Sequence, residues 1–159
     1  MGLSPKVSYS GFDGVKVVSI SPHGTINQKG AVALLGANWT QANPNNVILV
    51  VEALFEYTAI TGLELNIDGN KQRFVSTASM TNMNEIGGTS HTVGVQSSTK
   101  GFVANVDVVS KILNSNRSWM RITTPSGTAE CALNDGPNKS KAYFALKRFA
   151  AEVTSIRGQ

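Results

Sequence analysis

A chain of 159 residues with 41% hydrophobic and 15% charged side chains carries enough apolar material for one core and lies outside the disordered regime, so one domain spanning 1–159 is expected. The net charge of +4 is uneven: residues 1–99 hold five Lys and Arg against six Asp and Glu, and residues 100–159 hold nine against four. The basic character therefore belongs to the C-terminal part. Low charge, made up by Asn, Ser, Thr and Gly, points to β structure and an extracytoplasmic setting such as a bacterial envelope.

Met1 to Lys6 has no charged-then-apolar export pattern, so an exported form would carry its leader outside this chain. Val15 to Ser21 reads as a strand stopped by Pro22, which lacks the amide a central ladder needs. Ala31 to Trp39 is a second apolar run, and Asn43-Pro44-Asn45-Asn46 a turn. Val47 to Tyr57 follows as a buried strand, because the β-branched Val47, Ile48, Val50 and Val51 outweigh the helical spacing of Glu52 and Glu56. No apolar run reaches the ~20 residues that span a bilayer as a helix.

Leu63, Leu65 and Ile67 alternate with Glu64, Asn66 and Asp68, the period of a strand with one wet face. Asp68-Gly69 closes a hairpin that sets Leu63 opposite Phe74 and Glu64 opposite Arg73, so apolar and charged pairs agree on one register. Ser76 to Ser90 is polar and patternless, hence a long loop suited to contacting a partner. Thr92 to Gln96 and Phe102 to Val106 read as strands joined through Ser97 to Gly101.

Asn105 or Asp107 caps a short helix with Val108, Val109, Ile112 and Leu113 as its apolar stripe, ended by Asn114 to Asn116. Trp119 to Thr124 and Thr128 to Leu133 flank a four-residue loop, Thr124 to Gly127, which pairs Met120 with Cys131, Ile122 with Ala129 and Arg121 with Glu130. Asn138 or Ser140 caps a final helix whose Ala142, Leu146, Phe149, Val153 and Ile156 recur at three- and four-residue steps. The fold expected is mostly β, of the α+β kind: an antiparallel, sandwich-like sheet of eight to ten strands with one short and one long C-terminal helix packed on it.

Catalytic motifs are few. Ser97-Ser98-Thr99-Lys100 has the S-x-x-K form, but the companion S-D-N and K-T-G motifs are missing and a polar hairpin loop explains it. His23 and His91 are the only imidazoles, and no G-x-S-x-G elbow accompanies them. The lone Cys131 excludes an intrachain disulfide and a cysteine metal cluster, and its alternation with Ala129 and Leu133 turns it into the core as an inert thiol. Glu52, Glu56, Glu64 and Asp68 are read as solvated sheet charges rather than glycosidase carboxylates. Asn38, Asn116 and Asn138 open N-x-S/T patterns, of the kind that arises by chance in an Asn-rich chain. Phosphate loops are absent.

The expectation is a non-enzymatic binding or structural module with no catalytic residues, cofactor or metal. One alternative is an anionic polymer, polysaccharide or nucleic acid, bound through Lys139, Lys141, Lys147 and Arg148 on the outer side of the last helix, with Tyr143, Phe144 and Phe149 used for packing. Another is a hydrolase assembled from scattered residues around His23 or His91.

Overall fold

The computed structural model describes residues 3–30, 32–54, 58–77, 82–86 and 95–158. In chain order these form β1 (Lys6–Tyr9), β2 (Lys16–Gly24), β3 (Ile26–Lys29), β4 (Val32–Thr40), β5 (Asn46–Leu54), β6 (Gly62–Ile67), β7 (Asn70–Ser76), β8 (Asn82–Ile86) and β9 (Val95–Asn105). There follow α1 (Asp107–Leu113), β10 (Arg117–Thr124), β11 (Gly127–Asp135), β12 (Asn138–Lys139) and α2 (Lys141–Arg157). All pairings are antiparallel, in the order β1-β2-β4-β5-β9-β7-β6-β10-β11-β12, with β3 added to β11 and β8 to β9. The mostly β architecture with two packed helices is as expected. The strand count among the described residues is twelve rather than eight to ten.

The sandwich-like layers are joined. Only Thr25 separates β2 from β3; β2 is bonded to β4 and β3 to β11. The ladder leaving β4 on one side thus returns through β11 and closes around the core. Leu35, Leu49, Val51, Leu63, Leu65, Phe102, Met120 and Ile122 fill it, each at most 1% exposed. Helix α2 packs on β2 and β4, with α1 against it. Its Ala142, Leu146, Phe149, Val153 and Ile156 are buried as their spacing requires, and each of the larger of these contributes about 1.5–3 kcal/mol of transfer free energy. Ser140 is the cap: its Oγ accepts the Tyr143 N–H at 3.0 Å, whereas Asn138 lies in β12.

Both predicted hairpin registers hold. Leu63 lies opposite Phe74 and Glu64 opposite Arg73 across a turn in which Asp68 and Gly69 have φ of 51° and 91°, the two positive values a type I′ turn requires. Met120 pairs with Cys131, Arg121 with Glu130 and Ile122 with Ala129. That hairpin is tighter than expected, because Thr124 and Gly127 themselves pair and only Pro125 and Ser126 form the loop.

Four expectations are corrected. Pro22 does not end β2: it sits in a bulge where Ile20 to His23 spans one residue more than the facing Ala37 to Leu35, and there a missing N–H costs no ladder bond. The bulge folds over Gly36, where a Cβ would lie 2.5 Å from Ile20 O. Ser97 to Gly101 is no loop but the middle of the unbroken β9, bonded to β5 and, over residues 95–99, to β8. Polarity hid this strand because ladder bonds come from the backbone. Ser98 and Lys100 stand opposite Ala53 and Val51, and the Ser98 hydroxyl accepts the Thr58 N–H at 2.8 Å.

The Ser76–Ser90 segment contains β8, for the same reason; residues 78–81 and 87–90 lie outside the described residues, as do Ala31, 55–57 and 91–94. Finally, Val106 occupies the N-cap of α1 without a side-chain bond, while Asn105 Oδ1 takes the Asp107 N–H at 2.9 Å.

Candidate ligand-binding site on the outer sheet face

Alternation turns the odd-numbered core residues of β6 and the even-numbered ones of β10 inward, and leaves Glu64, Asn66, Arg117, Trp119 and Arg121 on the opposite face. Register then orders them. Arg73 (β7), Glu64 (β6), Arg121 (β10), Glu130 (β11) and Lys29 (β3) are successive cross-strand partners, a row of alternating charge over five strands. The adjacent row is Lys71, Asn66, Trp119, Ala132 and Ile26.

Arg121 organises the first row. Its Nη2 and Nε donate to Glu130 Oε2 at 2.9 and 3.1 Å, and its Nη1 lies 3.6 Å from Glu64 Oε1. The sequence pairs Glu64 with Arg73; they are register partners, but the ion pair runs to Arg121 on the next strand. Lys29 holds its ammonium 5.9 Å from the Trp119 ring centroid, the long end of the cation–π range.

The start of β10 is pinned from two sides. Asp68 accepts the N–H groups of Asn116 and Arg117 at 3.0 and 2.9 Å. Asp135 accepts from Arg117 Nε at 2.8 Å and Nη2 at 2.6 Å, and from Asn27 Nδ2 at 2.7 Å. These carboxylates are structural, and they hold a groove of about 490 Å³ whose walls include Lys29, Glu64, Asn66, Trp119, Arg121 and Glu130. A second depression of about 540 Å³ around the β6–β7 hairpin shares Asp68 and Lys71 with it.

The face has a donor-only, acceptor-only alternation beside one half-buried indole, and no acceptor among the described residues meets the Trp119 N–H. Trp39, the other tryptophan, is 2% exposed and donates its Nε1–H to Pro44 O at 3.0 Å.

The residues nominated from sequence lie elsewhere. Lys141, Lys147 and Arg148 are exposed on the outward side of α2. Lys139 precedes the helix; its ammonium donates to Gly136 O at 3.0 Å and lies 5.5 Å from the Tyr143 ring centroid. Tyr143 and Phe149 pack as expected, but Phe144 is 45% exposed among these cations, contrary to its expected packing role. It has no sheet beneath it, because its position falls between the helical steps of the buried stripe.

His23 donates Nδ1–H to Ser21 O, two residues back on its own strand, at 2.6 Å. His91 lies outside the described residues, as does Glu56; Glu52 is half-buried on β5. Cys131 is 1% exposed, and burial pushes its thiol up to about 11, the unreactive state expected of it. Among the described residues, no three His, Cys, Asp or Glu side chains converge as a metal site, and no helix is long and apolar enough to cross a membrane.

Trp119, Lys29 and Asn66 were missed by sequence reasoning. The two hairpins that carry the face were legible, but the β6–β10 pairing that joins them links residues more than fifty positions apart. The chain matches no protein-family model, no curated protein and no solved structure.

Proposed function

We propose that this protein is a non-enzymatic binding module, working in an extracytoplasmic setting such as a bacterial envelope, that takes its ligand on the outer face of β6, β10 and β11. The observation that supports this reading is one groove of about 490 Å³ that joins four of the five alternating charges, Glu64, Arg121, Glu130 and Lys29, to an indole whose N–H meets no acceptor among the described residues. Aromatic surface with a few placed polar groups is what ligand sites are made of. The Asn-, Ser-, Thr- and Gly-rich, low-charge composition supports the setting.

Trp39 is buried, so ligand-induced changes in tryptophan emission report on Trp119. Titration with neutral oligosaccharides, acidic polysaccharides and single-stranded oligonucleotides is expected to shift the emission with at least one class, and Trp119→Ala, followed by isothermal titration calorimetry because it lacks the reporting indole, to remove that binding. Binding that survives Trp119→Ala unchanged contradicts the reading.

A second reading, an anionic polymer bound by the outward side of α2, gains from the exposed Phe144, since aromatics interleaved with cations are the mark of such surfaces. Lys147→Glu with Arg148→Glu then abolishes heparin retention; retention indifferent to the double reversal argues against it.

A further inference from the structure

We infer that the ligand of the Trp119 groove is a neutral polyhydroxylated chain, an oligosaccharide lying across the strands; this rests on the outer-face reading of function given above. Arginine and lysine only donate hydrogen bonds, and a carboxylate only accepts them, whereas a hydroxyl does both. The row Arg73, Glu64, Arg121, Glu130, Lys29 alternates these one-way groups across five strands. A chain of hydroxyls is complementary to that alternation at every step, because each can accept from a cation and donate to the carboxylate beside it.

A polyanion is not complementary. Its phosphate, sulfate or carboxylate groups can only accept, and they would meet Glu64 and Glu130 with like charge. Arg121 is already committed to both carboxylates, at 2.9 and 3.6 Å, so the centre of the row offers little net positive field. Beside it, Trp119 offers a flat apolar face and an indole donor, and the facing Ala132 is too small to crowd the ring. Four strand spacings of ~4.8 Å give the row a reach of ~19 Å, which suits an extended chain rather than one small molecule. Lys29, at 5.9 Å from the ring centroid, is held loosely enough over the indole to move aside.

Fluorescence titration of the wild-type chain at low and high salt tests this, with neutral hexasaccharides (β-1,4-glucan, β-1,3-glucan, α-mannan, chitin), heparin and single-stranded DNA as probes. The expected result is binding of at least one neutral hexasaccharide with a Kd that changes less than about twofold with salt, because no counterions are released. Isothermal titration calorimetry, which needs no indole reporter, is expected to show Trp119→Ala weakening it by about tenfold or more, and Trp119→Phe, which keeps a stacking face, by less. Circular dichroism matching wild type confirms that both variants fold. Polyanion binding that depends on Trp119 and falls steeply with salt overturns the saccharide assignment and leaves the outer-face reading standing. Failure of every probe to respond through Trp119 overturns both.

Discussion

Arg121 binds Glu130 through two nitrogens, Nη2 at 2.9 Å and Nε at 3.1 Å, and this geometry leaves Nη1 turned toward Glu64. Both side chains of the pair are exposed, at 45% and 38%, so water screens their attraction and its share of stability is below ~1 kcal/mol. Arg121→Ala is therefore expected to change urea-unfolding stability by less than ~1 kcal/mol. Ligand binding on the outer face falls by about tenfold, because the donor at the centre of the row is gone. A large stability loss would show the row to be a structural brace instead.

Gly36 lies beneath the β2 bulge with no room for a side chain. A Cβ there would sit 2.5, 2.7 and 2.8 Å from Ile20 O, Pro22 N and Ser21 C, all of them backbone atoms that cannot swing away. Gly36→Ala is expected to cost about 3 kcal/mol or more in urea denaturation. Gly24→Ala, where nothing lies within 4 Å of the added Cβ, is the matched control and is expected to stay near wild type.

Cys131 ties stability to alkaline pH. Burial raises its thiol from 9.0 to about 11, so between those values the folded chain keeps a proton that the unfolded chain loses. The stability this contributes is complete below about pH 9 and is lost as pH rises toward 11. It amounts to at most ~3 kcal/mol. Chemical denaturation from pH 7 to 11 is expected to show a steeper alkaline decline for wild type than for Cys131→Ala; parallel curves would contradict the buried neutral thiol.

Ser140 is 1% exposed and its hydroxyl closes the first turn of α2 by accepting the Tyr143 N–H. Ser140→Ala leaves that donor unpaired at the entry to the helix that packs on β2 and β4. A loss of ~1 kcal/mol by thermal or urea unfolding is expected, with Ser140→Asp recovering part of it.

Local signals carried much of the fold. Asp68-Gly69 specified its turn because only residues tolerant of positive φ fit there, and the two hairpins specified their registers because a one-residue slip would turn Leu63 or Met120 out to water. The stripe of α2 was legible for the same reason. What stayed hidden was whatever hydropathy does not encode: β9 runs through Ser97 and Ser98 because its backbone is paired on both edges there, and β2 passes through Pro22 because a bulge excuses the missing donor.

The candidate site was half legible. Glu64, Arg73, Arg121 and Glu130 were each paired within their own hairpins, but the row exists only where β6 meets β10, a long-range contact with no sequence mark. Phe144 misled because hydrophobicity alone does not say which side of a helix a residue takes.

The most direct measurement is amide chemical-shift mapping of the whole chain during titration with the neutral hexasaccharides. The account predicts perturbations concentrated at Glu64, Asn66, Trp119, Arg121 and Glu130, on three neighbouring strands. Perturbations centred on Lys141 to Arg148, or a spectrum that does not change with any of these sugars, would contradict it.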